Sequence, residues 1–262
     1  MKQSMLNPHF KVSLVSYWNT KPFLFGIQHS PVRKHFDLQL DVPSAGGKKM
    51  LKAESDIALI PVVIKNEVPE LQLITEYCIG ATGPVRTVCL VSNVPIEEIK
   101  EIILDDHSLT SIQLLRILLK EFWNIHPKLI PATVAFFDSV KNNTAALVIG
   151  DRSFHVSNRY SYVYDLAEYW VKLTGLPFVF AAWFSRKPID EEIASQLNSA
   201  LKFGVDHIEE VAALLASATV SEQEMLYYLK HNISYNLDND KRRGMDLFLQ
   251  KIKTLEAVPS GF

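Results

Sequence analysis

The sequence predicts an α/β protein of two lobes, each a doubly wound unit, joined by two hinge strands. Three observations predict it. Two successive stretches alternate short apolar strands with helical segments. Two further strand-like segments, near Thr87–Ser92 and near Ala181–Ser185, link those stretches. After Pro188 the chain turns mostly helical, enough to return and cover the first unit. A length of 262 residues suits two domains or one bilobal protein.

The elements follow in order. Lys11–Tyr17 (KVSLVSY) reads as a strand, and a helix begins near Pro22, because Asn or Thr at the cap with Pro in the first turn starts helices well. Phe36–Val42 alternates apolar and polar residues and predicts a second strand. Pro43-Ser44-Ala45-Gly46-Gly47 reads as a loop before a short helix over Lys48–Ala53. Ile57–Val63 (IALIPVV) is apolar throughout, as a buried parallel strand would be. Strands over Leu71–Ile79 and Val85–Ser92 flank Gly80-Ala81-Thr82-Gly83-Pro84. The second unit takes strands at Ile102, Thr133–Phe137 and Ala145–Ile149. A helix over Tyr164–Leu173 ends at Gly175, a helix-stop signal. Phe178–Phe184 is a very apolar strand. Helices follow over Glu191–Ala218, Ser221–Lys230 and Asp240–Leu255. Lobe 1 is expected to comprise residues 1–92 and 186–262, and lobe 2 residues 93–185. This is the layout of a type II periplasmic-binding-protein-like fold, with a ligand between the lobes.

Composition narrows the function. The chain is 48% hydrophobic and 21% charged with a net charge of −2, so no nucleic-acid footprint is visible. No apolar run reaches membrane-span length, and the N-terminal MKQSMLNPHFK lacks the apolar core of a secretory signal, so a cytoplasmic protein is expected. Cys78 and Cys89 lie in strand-like segments and are expected to be buried free thiols. Eight scattered histidines, with no HExxH or CxxC pattern, predict no metal site. The oligomeric state stays open, a homodimer being one option.

The most informative stretch is IILDDHSLTSIQLLRILL. A buried strand ends at Asp105 and Asp106, a hydroxyl-rich turn follows, and a helix opens with Ile112, Leu115, Ile117, Leu118 and Leu119 facing the core. The first turn of a helix has unpaired N–H groups and the positive end of the dipole. With Ser108, Thr110 and Ser111 beside them, these donors form a cradle for a carboxylate or phosphate, at the carboxyl end of a strand. An ordinary capped helix start is the competing reading. Four more strand ends converge on the same cleft: Trp18-Asn19-Thr20, with an amide that both donates and accepts; an apolar wall at Ile60 and Pro61; Arg86 and Thr87, a cation and a hydroxyl; and Gly150-Asp151. Asn19 could equally be a helix cap. Asp105 and Asp106, adjacent on a strand, point to opposite faces, so a structural role is expected for at least one. Trp170 and Trp183 are expected in the core.

The blocks SYWNTKP, SDIALIPV, GATGPVRTVCLVS, ILDDHSLTSIQLLRILL, AALVIGD and YDLAEYWVKLTGLPFVFAAW, in this order, resemble the MqnA-type menaquinone biosynthesis proteins, the chorismate dehydratases of the futalosine pathway. The likeness runs from about Lys11 to Trp183, with a weaker echo in ISYNLDNDKRRGMDLFL. The sister 1,4-dihydroxy-6-naphthoate synthases share the fold but open on a Pro-Cys-Pro-Asn type segment, absent here. Thr87 stands where the family commonly has Ser. The resemblance implies a lyase that needs no cofactor. Chorismate loses its C4 hydroxyl with the C3 proton, giving 3-[(1-carboxyvinyl)oxy]benzoate. The substrate's own enolpyruvyl carboxylate is implied as the base, with Asn19 orienting it. A solute-binding protein without chemistry remains the alternative from another class, because fold does not fix function.

Overall fold

A computed structural model describes residues 9–105, 109–132, 139–156 and 159–256. The strand expected at Thr133–Phe137, together with Asp106, His107 and Ser108, lies outside them. Two mixed sheets form the two lobes.

The first lobe starts with β1 (Phe10–Val15), α1 (Lys21–Gln28), β2 (Phe36–Asp41), α2 (Pro43–Leu51) and β3 (Ile57–Pro61). β1 lies between β2 and β3 and pairs parallel with both, Val12 facing Leu38 on one side and Ile57 on the other. This is the predicted βαβαβ unit. α3 (Ile64–Glu67) and β4 (Gln72–Ala81) follow. The second lobe comprises β5 (Val88–Ser92), β6 (Glu101–Leu104), α4 (Leu109–Glu121), β7 (Lys128–Pro131), β8 (Thr144–Ile149), α5 (Ser153–Val156), β9 (Tyr162–Asp165) and α6 (Leu166–Thr174). The chain then returns to the first sheet through β10 (Phe178–Ser185), which pairs antiparallel with β3 and β4. The rest is α7 (Glu191–Asp206), α8 (Ile208–Leu215), α9 (Glu222–Tyr227), β11 (Ser234–Asn236) and α10 (Asn239–Glu256). The sheet orders are β11-β4-β10-β3-β1-β2 and β7-β6-β8-β5-β9.

Sheet membership moves both expected lobe boundaries toward the N-terminus. Val88–Ser92 pairs with β8 and β9 in the second sheet, and Phe178–Ser185 belongs to the first. The crossings are therefore the short segments 82–87 and 175–177, just before the strands expected to be hinges. We propose that the lobes be divided there. Asp165 ties the first crossing to the start of α6. Its carboxylate caps α6 by accepting from the N–H groups of Ala167 and Glu168, and it also accepts from the Arg86 N–H at 2.6 Å. That bond holds Arg86 at φ +68°, a conformation few side chains adopt.

Other differences have local causes. Pro43–Gly47 is the first half of α2 rather than a loop, since Pro fits the first helical turn, where its missing N–H costs nothing. The helix expected to run unbroken from Glu191 to Ala218 breaks at His207. The His207 ring stacks on Phe203, 3.9 Å between centroids, and its Nδ1 meets the Phe203 carbonyl at 2.7 Å. The His207 N–H bonds instead to Gly204. The unexpected strands β7, β9 and β11 are all short edge strands, which carry little buried alternation.

One large apolar core joins both lobes, with Trp170 and Trp183 fully buried in it. A small satellite core of Cys89, Val91, Ile103, Val140, Ala146 and Val148 lies apart from it. Both cysteines are buried and free, and burial pushes the Cys78 thiol up to about 12. No helix among the described residues is long and apolar enough to cross a membrane.

Candidate active site between the lobes

Strand carboxyl ends from both sheets face one cavity. β1 delivers Val15 and then Tyr17, Asn19 and Thr20 on a 3-10 turn; β3 delivers Pro61; β8 delivers Ile149 and Gly150. α4 presents Thr110 and Ser111 from its first turn, and α2 presents Pro43 from its own. Ile79, Val85, Thr87, Val88, Phe180 and Ala181 complete the lining. The space is about 540 Å³, open solvent at its mouth included. Its walls are mostly apolar, and none of these lining side chains carries a formal charge. Positive potential comes instead from the N-termini of α1, α2 and α4, which all open toward it.

Of the residues singled out by sequence, Asn19, Thr20, Pro61, Thr87, Thr110, Ser111 and Gly150 meet at this cavity. Two of their hydroxyls bond to the backbone. Thr20 donates to the carbonyls of Val15 and Tyr17, which shapes the turn. Thr110 donates to the Phe180 carbonyl at 3.1 Å, linking α4 to β10. Ser111 is buried and lines the cavity beside it. Asn19 is not a helix cap: the cap position of α1 is Thr20, and no side chain caps it. The Asn19 Oδ1 is buried and has no hydrogen-bond partner among the described residues.

The other candidates sit behind the lining or turn away. Ile60 is buried on the opposite side of β3 from Pro61, as strand alternation requires. Arg86 does not reach the cavity. Its guanidinium pairs with Glu224 and lies 4.1 Å from the Phe154 ring centroid. The Trp18 ring meets Phe154 edge-on at 5.1 Å, and its backbone N–H donates to Asp151 Oδ1 at 3.0 Å. That bond crosses from one lobe to the other. Asp105, at the end of β6, is ion-paired with Arg152.

Sequence reasoning missed two tyrosines. Tyr17 lies against Gly150, and burial, reinforced by nearby Asp105, pushes its hydroxyl up to about 12. Its place next to Trp18-Asn19 was the available signal. Tyr228 is fully buried, with its hydroxyl 3.0 Å from Thr87 Oγ1. Burial raises its pKa well above the ordinary value. It opens a π-helical segment, Tyr228–Asn232, a feature frequent at functional sites but invisible in a helical hydrophobic pattern.

Burial raises the Asp151 carboxyl to about 6, against partial compensation from the Trp18 N–H. Its unfolded value is near 4, so the folded protein holds a proton that the unfolded chain has lost. Stability therefore falls as pH rises from about 4 to 6, and the full penalty persists above that range. Two pKa units correspond to ~3 kcal/mol. Asp151→Asn keeps an oxygen for the Trp18 N–H and removes the charge, at the cost of two new N–H groups to place. The variant is expected to gain about 1–2 kcal/mol at neutral pH, with a flatter melting temperature between pH 4 and 6. An unchanged pH profile in thermal melts counts against this assignment.

The comparisons agree with this architecture. A family model described as menaquinone biosynthesis matches residues 10–254. A chorismate dehydratase from Thermus thermophilus is 24% identical over 264 residues, covering 93% of this chain and 95% of that protein. A structure from Archaeoglobus fulgidus superposes with a TM-score of 0.76 at 12% identity, covering 95% of this chain and 98% of the other. The periplasmic aliphatic sulphonate binding protein of Escherichia coli superposes at 0.62 and 15% identity, over 97% and 94%. A Candida albicans protein with the generic periplasmic binding protein fold gives 0.65 at 12%, over 94% and 90%. The fold is thus periplasmic-binding-protein-like, and the chain belongs to the menaquinone biosynthesis family.

Proposed function

We propose that the protein is a chorismate dehydratase, a hydro-lyase that forms 3-[(1-carboxyvinyl)oxy]benzoate and water. The observation that carries this reading is the interlobe cavity. Its apolar walls suit a carbocyclic ring, its uncharged lining and three helix N-termini suit two carboxylates, and Asn19 and Thr87 face the same space. The homology to a chorismate dehydratase supports it.

In the elimination, the C3–H electron pair becomes the new ring double bond. The C4–O bond breaks, and the departing hydroxide receives the C3 proton by way of the group that removed it, giving water. The substrate's enolpyruvyl carboxylate takes the C3 proton, and Asn19 holds that carboxylate over it. With the lobes closed, water is excluded and the reacting groups are held close. The protein acts in the cytoplasm, where chorismate is available.

The test is incubation with chorismate, followed by chromatography and mass spectrometry. The expected result is loss of chorismate and appearance of an aromatic product lighter by one water. Retention of unchanged chorismate indicates a binding protein, and turnover of cyclised futalosine alone indicates the sister naphthoate synthase.

Ser111→Ala supplies a finer test. Ser111 lines the cavity in the first turn of α4, and losing a hydrogen bond to a charged group costs about 1.5–3 kcal/mol. Binding of chorismate is expected to weaken about tenfold or more, measured as KM or by calorimetry.

A further inference from the structure

Phe154 is buried in α5 of the second lobe and is not part of the cavity lining. Three side chains around it each stand one step from that lining. The Trp18 ring meets it at 5.1 Å and 73°, and the Tyr228 ring at 5.0 Å and 88°. The Arg86 guanidinium lies over its face, 4.1 Å from the ring centroid. Trp18 immediately precedes Asn19, and Arg86 immediately precedes Thr87. The Tyr228 hydroxyl is 3.0 Å from Thr87 Oγ1. Asn19 and Thr87 both line the cavity.

The socket is held from outside the second lobe and filled from within it. Trp18 and Tyr228 belong to the first lobe, and Arg86 belongs to the crossing over residues 82–87. Arg86 is also anchored on Glu224 of α9, and the Trp18 N–H on Asp151 Oδ1 at 3.0 Å. An aromatic ring suits this place. Its negative face attracts the cation, and its quadrupole favours perpendicular neighbouring rings. An aliphatic side chain of similar size fills the space and does neither.

We infer that Phe154 is a positioning residue: docked between Trp18, Tyr228 and Arg86, it fixes Asn19 and Thr87 relative to each other. The inference deepens, and rests on, the reading of this cavity as the site of chorismate dehydration. Because socket and filler come from different parts of the fold, the arrangement is complete only while the lobes meet. Contact between the lobes and alignment of the two lining side chains are thereby one event.

Phe154→Leu keeps most of the apolar volume and removes the ring. The expected result with chorismate is a kcat lowered about tenfold to thirtyfold, with KM within about threefold and the fold retained by thermal melt. Trp18→Leu removes one wall of the same socket from the other lobe and should also lower kcat. Since both act on one contact, the double variant should lose less than the product of the two single losses. A parental kcat in Phe154→Leu overturns the inference, as do a rise in KM alone and losses that simply multiply. Should Phe154→Leu fail to fold, Trp18→Leu carries the same kcat expectation and the same overturning result. A further arm does not depend on turnover. Small-angle scattering of the ligand-free protein should give Phe154→Leu a larger radius of gyration than the parent, and equal radii overturn the docking of the lobes through Phe154. If the parent fails to consume chorismate, the dehydratase reading falls and the role of Phe154 in that reaction falls with it. The scattering arm still decides the docking separately.

Discussion

Asn19→Asp is expected to turn over chorismate about a thousandfold more slowly than the parent, with the fold intact. The substitution preserves size and keeps one oxygen in place, but it exchanges the amide N–H groups for negative charge. None of the cavity's lining side chains carries a compensating cation. A carboxylate here faces the carboxylates of a dianionic substrate. Two unit charges about 4 Å apart repel by about 4 kcal/mol at an effective dielectric constant of 20, which is about three decades in rate. The fold should survive, because Asn19 caps no helix. For the same reason Asn19→Ala is a clean companion, free of the cap loss that its sequence position suggested. Steady-state turnover with chorismate, alongside thermal melts of both variants, checks the expectation. If Asn19→Asp works at the parent rate, the catalytic group must be sought near Thr87 or Asp151.

Much of this site was legible in the sequence because it depends on strand ends. A short apolar strand followed by a helix start marks a place where backbone N–H groups are unpaired. Four of the predicted strand ends do meet at the cavity, through Asn19, Pro61, Thr87 and Gly150, together with the α4 start at Thr110 and Ser111. Periodicity cannot say which way a long side chain turns. Arg86 looked available and is instead committed to Glu224 and Phe154. Nor can periodicity show that the Thr110 hydroxyl serves the backbone of β10. Tyr228 was unreadable for a further reason. Its surroundings are apolar residues at helical spacing, and the π-helical turn that starts there leaves no mark on that pattern. Sheet membership of β5 and β10 was not readable either, because both are buried along their whole length and read the same in either sheet.

Gly150→Ala should lower turnover about a hundredfold while leaving each lobe folded. Gly150 directly follows β8 with φ +68°, a left-handed conformation that costs a side chain roughly 1 kcal/mol. The larger effect is steric. A methyl group there would lie 2.8 Å from two ring carbons of Tyr17, where the second lobe meets the first. The ring cannot retreat cheaply, since it is followed by the Trp18 N–H that bonds to Asp151 across the same boundary. The relief available is to separate the lobes slightly at this point. An ångström of misplacement in a near-attack geometry is worth about two decades in rate. The strain of the substitution falls on the contact between the lobes, so melting should change less than activity. Small-angle scattering of parent and variant with bound product should show a more open variant. A Gly150→Ala enzyme with parental turnover would mean that the contact between Tyr17 and Gly150 is not part of the reacting state, and that chemistry proceeds with the lobes further apart than they stand here.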